Sequence, residues 1–176
     1  MEYKDQKKSK MIMLLRIVTI VLAVGWMCVI FSFSAQPAAA SASTSEDVSS
    51  LFIRIADVFS GNDLSEEQVY ARAKVIDRVV RKIAHATEYA ILAVLWFFVF
   101  VMYGKTFKGR YYQAQLVCSA YAVTDELHQF MSAGRSPSFK DVCIDSAGAC
   151  VALLMIWGIS ACIISLSNRR RSAENR

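Results

Sequence analysis

The sequence predicts an all-α fold: an integral membrane bundle of four transmembrane helices, with an extracytoplasmic insertion of amphipathic helices between spans one and two. Three observations predict it. The chain of 176 residues is 55% hydrophobic, with a mean hydropathy of +0.35, too apolar for an ordinary soluble domain of this size. Its apolar residues gather in four runs, each of about 20 residues, enough to cross roughly 30 Å of hydrocarbon as a helix. The runs are also continuous. That suits helices, which satisfy their own backbone amides in lipid, and does not suit barrel strands, which alternate.

Residues 1–10 form a basic tail with Lys4, Lys7, Lys8 and Lys10. The first span follows at about 11–31, MIMLLRIVTIVLAVGWMCVIF, with Arg16 able to snorkel to the interface. Basic residues, an apolar stretch and then PAAASAS also resemble a secretory signal, but the stretch is long for a signal core, so an uncleaved anchor is the favoured reading.

The segment 32–82 reads as an outer loop. It opens loop-like in SFSAQPAAASASTS and then carries two helical patterns. In the first, Val48, Leu51, Phe52, Ile55, Val58 and Phe59 follow a helical period, with Glu46 and Asp47 suited to the first turn and Gly61 to the stop. In the second, Val69, Ala73, Ile76, Val80 and Ile83 form one stripe, and Ser65 with Gln68 is a candidate capping box. Both read as amphipathic helices lying on the outer membrane surface or capping the bundle.

The second span is placed at about 83–103, the third at about 111–131 and the fourth at about 142–166. The third is the weakest, because its second half, TDELHQ, is polar. The loop GKTFKGR carries Lys105, Lys108 and Arg110, and the tail 167–176 carries Arg169, Arg170, Arg171 and Arg176. Four crossings put both tails and this loop on one side, which the positive-inside rule makes cytoplasmic. The formal net charge of +5 therefore reports topology and contact with membrane lipids. It does not point to nucleic acid, since no basic stripe is interleaved with aromatic residues. Cys28, Cys118, Cys143, Cys150 and Cys162 lie in the apolar runs without a pairing pattern and read as small apolar fillers.

Within this topology the polar residues are the anomaly. His85 and Glu88 stand at the outer end of span two, with Asp125, Glu126, His128 and Gln129 at the outer end of span three. Gly134 and Arg135 sit in the outer hairpin SAGRSPS, and Asp141 and Asp145 open span four. None falls at the cytoplasmic ends, as chance scatter would have placed some. His85 and Glu88 are i, i+3; Asp125 and Gln129, and Asp141 and Asp145, are i, i+4, so each helix can aim its pair inward. A charge facing lipid at mid-helix costs roughly 2.5–3.5 kcal/mol on insertion scales, so inward pairing into a wet chamber is expected. Arg135 is the natural counter-charge for Glu88, Asp125 or Asp141, or for an anionic ligand. Plainer readings exist. Asp141 suits the first turn of a helix by its charge, Pro137 suits a helix start, and His128 is tolerated at an interface. Gly148 suits close helix approach.

KIAHATEYAIL followed by YAVTDELHQFMSAGRSPSFKDVCIDSAG resembles the VanZ-like family of bacterial membrane proteins, over about residues 11–165. The shared pattern is H-x-x-E-Y, then D-E-x-x-Q and G-R, then D-x-x-x-N/D-x-x-G. The resemblance implies functional positions at His85, Glu88, Tyr89, Asp125, Glu126, Gln129, Gly134, Arg135, Asp141, Asp145 and Gly148. Asp145 departs from the more usual Asn and makes the site more acidic. The resemblance also implies a multi-pass protein of the cell membrane, and a setting in which the founding member is associated with low-level resistance to teicoplanin.

Three functions compete at this point. The favoured one is a polar site at the outer face that binds or modifies a cell-envelope lipid or lipid-linked precursor and lowers glycopeptide susceptibility. Its partners are membrane lipids and an envelope precursor or the glycopeptide itself. The second is a metal-assisted hydrolase or transferase, for which His85, Glu88, Asp125 and Glu126 offer nitrogen and oxygen ligands. The sequence has no HExxH, nucleophile elbow or phosphate-cradling loop, so no metal site and no cofactor is assigned. The third is a helix-packing cluster in a partner-binding membrane protein. A transporter is disfavoured, since the acids lie at one face and no inverted repeat is visible.

Overall fold

The computed structural model describes residues 2–132 and 138–174. Among them are five α-helices and no strand: α1 (Glu2–Ser34), α2 (Ala38–Ser60), α3 (Glu66–Met102), α4 (Phe107–Gln129) and α5 (Phe139–Glu174). Three of these, α1, α3 and α5, are long and apolar enough to cross a membrane. The polar half of α4 keeps it below that level, although its 23 residues reach about 35 Å at 1.5 Å per residue.

The helices lie alongside one another in a consistent sense. Arg16 Nε donates to the Met102 carbonyl at 3.1 Å and Trp26 Nε1 to the Glu88 carbonyl at 2.9 Å, so α1 and the second half of α3 are antiparallel. Tyr121 Oη donates to the Met27 carbonyl at 2.7 Å, which sets α4 running with α1. Gln115 Nε2 donates to the Ser146 carbonyl at 3.0 Å, which sets α5 against α4. The shared core holds Ile30, Tyr89, Leu92, Phe97, Cys118, Ala122 and Leu153. On α4 the residues facing in are small and four apart, Ala114, Cys118 and Ala122, the spacing that lets helix backbones approach. Apolar side chains such as Leu14, Val21, Leu154 and Ile163 are left on the outside, as in a protein whose solvent is lipid.

The segment 32–82 departs from the sequence expectation in three ways. First, AAASASTS is helical, not a loop. Pro37, with φ of −55°, sits at the start of α2, and Ala is the strongest helix former. The hydroxyls of Ser43, Thr44 and Ser45 are satisfied by carbonyls of the preceding turn, at 2.9, 3.1 and 3.0 Å. Glu46 and Asp47 therefore fall inside α2 rather than in its first turn. Gly61 does end the helix, with φ of 64° and its N–H on the Asp57 carbonyl, the left-handed cap for which glycine is suited.

Second, the amphipathic pattern after Ser65 and the second span form one helix of 37 residues. Neither glycine nor proline interrupts Glu66–Met102, and nothing else stops a helix there. The capping box is present as expected, with Gln68 N–H on Ser65 Oγ and Ser65 N–H on Gln68 Oε1. Third, of the two placements expected for α2, on the outer membrane surface or capping the bundle, its exposed apolar stripe does not take the second. α2 packs on α3 with Ser45 and Ser49 buried, and Ser45 accepts from Arg81 of α3 at 3.2 Å. Val58 and Phe59 remain 82% and 88% exposed.

All five cysteines are free. Cys118 is a core filler, while Cys28, Cys143, Cys150 and Cys162 lie on the outer surface of the helices, so the packing role expected of all five holds for one.

Candidate functional site

At the end of the bundle away from Lys105, Lys108 and Arg110, four helices converge on a polar layer. The approach of α3 to α5 makes it possible. A Cβ on Gly148 would lie 2.2 Å from the Ala86 carbonyl oxygen, so only glycine permits this crossing, in agreement with the sequence expectation. One turn before Gly148 on α5 stands Asp145, and beside Ala86 stands His85.

Asp125 and Asp145 are 2% and 4% exposed. Asp125 Oδ2 accepts from Ser34 Oγ at 2.8 Å and from Gln129 Nε2 at 3.2 Å, and Gln129 Nε2 also reaches Ser34 Oγ at 3.3 Å. This triangle ties the end of α1 to the end of α4. His85 Nδ1 and Glu88 Oε2 are 3.4 Å apart, an ion-pair separation without hydrogen-bond alignment. His85 lies within electrostatic reach of Glu88, Asp145 and Asp125 together. Among the described residues Asp125 Oδ1, Asp145 Oδ1, Glu88 Oε2, His85 Nδ1 and Tyr89 Oη are buried without a hydrogen-bond partner. Buried polar atoms left in this state are costly, and a cluster of them marks a place built for a ligand or water.

The layer opens into a cavity of about 560 Å³. Arg78, Arg81, Lys82 and His85 of α3 form one wall, Asp141, Ile144 and Asp145 of α5 face them, and Gln129 of α4 closes the floor. A smaller recess of about 190 Å³ lies on the other flank of Arg81 and His85, bounded by Phe33, Ser45 and Glu88.

The sequence-derived candidates distribute as follows. His85, Glu88, Asp125, Gln129, Asp141 and Asp145 meet in this layer. Tyr89 is fully buried in the core beneath it, 6.1 Å from the ring of Tyr121. Glu126 accepts from the backbone N–H of Ser138 and so fastens the end of α4 to the start of α5. Asp141 sits in the first turn of α5 and pairs with Lys82 at 2.8 Å. His128 stacks on Phe31 with ring centroids 4.1 Å apart, a packing role. Gly134 and Arg135 lie outside the described residues. Among the described residues no three His, Cys, Asp or Glu side chains are grouped to hold a metal ion.

The structure adds residues that the sequence reading passed over. They are Arg78, Arg81 and Lys82, which with the already identified His85 follow i, i+3, i+4, i+7, one face of a helix. The first three fall in the segment that the sequence suggests is an amphipathic helix on the outer membrane surface or capping the bundle. Ser34 carries no local signal, because its partner Asp125 is 91 positions away.

Long apolar helices with a polar cavity at one end mark a helical membrane protein with a recessed polar chamber. A family model described as VanZ/LLP1 matches residues 19–163, and the chain belongs to that family. No curated protein and no solved structure matches the chain significantly.

Proposed function

We propose that this VanZ/LLP1-family membrane protein binds a cell-envelope lipid or lipid-linked precursor in the chamber at the outer face of the bundle, and through it lowers susceptibility to glycopeptides of the teicoplanin type. The observation that carries the reading is the set of polar atoms on His85, Glu88, Asp125 and Asp145 that are buried and unpartnered among the described residues, beside a cavity of about 560 Å³. They offer acceptors to a ligand rich in hydroxyl or amine donors, at the level where the headgroup of a lipid meets the protein. α4 makes the fourth crossing, shielded by its neighbours, and both termini and the basic loop face the cytoplasm of a cell-membrane protein. Lipid extraction and mass spectrometry of the purified protein tests the reading. A co-purified lipid is expected in the wild type and reduced in Asp145→Asn; equal lipid content in both, with equal folding, counts against it.

One observation favours a second reading for part of the cluster. The Ser34–Asp125–Gln129 triangle joins two helices whatever the chamber holds, and a packing role for Asp125 rests on it. Asp125→Asn separates the two: lower thermal stability with an unchanged phenotype supports packing, and the reverse supports binding.

A further inference from the structure

The chamber has two chemically opposite walls. α3 supplies Arg78, Arg81, Lys82 and His85 along one stripe, and α5 supplies Asp141 and Asp145. Their charges do not simply cancel. Lys82 is held by Asp141 at 2.8 Å, and one Arg81 nitrogen, Nη2, is taken by Asp77 at 2.8 Å and Ser45 at 3.2 Å. Among the described residues Arg81 Nε is buried with no acceptor, and on the opposite wall Asp145 Oδ1 is buried with no donor. Arg78 forms no ion pair among the described residues. One wall therefore carries a guanidinium N–H without an acceptor and the other a carboxylate oxygen without a donor, both among residues that line the same cavity.

We propose that the chamber takes a phosphate ester bearing a hydroxyl or amine, with the phosphate on Arg78 and Arg81 of α3 and the donor on Asp145 of α5. This deepens the lipid-binding reading and rests on it. Arginine suits the anionic half because its planar fork donates in parallel to phosphate oxygens. Asp77 and Ser45 hold Arg81 from behind, so its guanidinium is positioned before the ligand arrives. The opposed carboxylate gives selectivity: a phosphate without a neighbouring donor meets Asp145 as a repelling charge.

The test is native mass spectrometry of the full chain in detergent, titrated with phosphatidylglycerol, whose phosphodiester carries a glycerol with free hydroxyls. Diacylglycerol, which lacks phosphate, is the control, and glycerol 1-phosphate is a competitor without chains. Phosphatidylglycerol is expected to bind the wild type and diacylglycerol is not. The double variant Arg78→Gln, Arg81→Gln is expected to weaken binding by about tenfold or more, as loss of charge-assisted hydrogen bonds implies. Arg78→Gln alone, at an exposed position, should weaken it in the same direction without touching the fold. Asp145→Asn should also weaken it. Displacement by glycerol 1-phosphate shows that the headgroup alone is recognised; resistance to it shows that the lipid form is required; both agree with the proposed chemistry. Unchanged affinity in both arginine variants, with binding lost in Asp145→Asn, overturns the α3 wall and leaves lipid binding standing. No binding to the wild type, or binding indifferent to all three residues, overturns this proposal, and the co-purified lipid then decides the lipid-binding reading by itself.

Discussion

The carbonyl oxygen of Ala86 occupies the space that a side chain on residue 148 would need, with only 2.2 Å to an added Cβ. This contact sets how closely α3 and α5 cross, and the crossing sets the distance between the walls of the chamber. Gly148→Ala forces the helices apart. Overpacking of this kind costs about 1–3 kcal/mol, so a lower melting temperature in detergent is expected. Gly158→Ala, further along α5 where an added Cβ meets nothing within 4 Å, should leave melting unchanged. Equal behaviour of the two variants would refute the close-crossing account.

Ser34 and Asp125 should be energetically coupled. Ser34 is fully buried and donates to a carboxylate that is itself buried. Ser34→Ala removes the donor and leaves Asp125 with Gln129 alone, a loss of about 1–3 kcal/mol for a buried group deprived of a partner. Ser34→Ala combined with Asp125→Asn should cost less than the sum of the single changes. A double-mutant cycle from thermal melts measures this, and strict additivity would show that the pair does not interact.

Lys82 and Asp141 form the visible ion pair between α3 and α5, but they are 40% and 42% exposed. Exposed pairs contribute about 0.2–1 kcal/mol and weaken with salt. Lys82→Ala should therefore lower stability only slightly at low salt, and by less still at high salt. A loss as large as that of Gly148→Ala would mean that the pair, rather than the backbone crossing, holds the helices together.

On α2 the buried face is formed by Ser45 and Ser49, while the apolar stripe from Val48 to Phe59 stays exposed. Val58→Ser with Phe59→Ser should leave the melting temperature almost unchanged, because neither side chain packs within the chain. Ser49→Leu should lower it, because Ser49 is fully buried and a larger side chain cannot fit there without displacing α3. The opposite ranking would place the apolar stripe in the interface.

Orientation is testable in intact cells with a membrane-impermeant thiol reagent. Cysteines placed at Gly61, in the turn between α2 and α3, and at Lys108, at the start of α4, lie at opposite ends of the molecule. Labelling of the first and protection of the second is expected; the reverse pattern turns the chamber toward the cytoplasm and removes an envelope ligand from consideration.

How much of this was legible in the sequence varies with the range of the interaction. Composition, run length and the placement of Lys and Arg already indicate a helical membrane protein, because lipid forces every spanning segment to satisfy its own backbone and to be apolar along its length. The Ser65–Gln68 box, the Gly61 stop and the glycine at 148 were readable for a similar reason: each depends on a few neighbouring residues or on the absence of a side chain. The inward pairs, His85 with Glu88 and Asp125 with Gln129, were readable from helical spacing.

Other features needed the tertiary structure. That α2 starts at Ala38, and turns its serines rather than its phenylalanines toward α3, depends on the surface it meets; a hydrophobic stripe reveals that a helix has an apolar side, not what covers it. That the α3 arginines line the chamber depends on the helix running unbroken from Glu66 to Met102, which places a segment read as surface directly above the polar layer. Ser34 opposite Asp125, and Lys82 opposite Asp141, are contacts between residues far apart in the chain. The sequence determined which side chains could not face lipid. Only the packing of the helices decided which of them would meet, because the strength of a polar contact depends on distances that local spacing does not set.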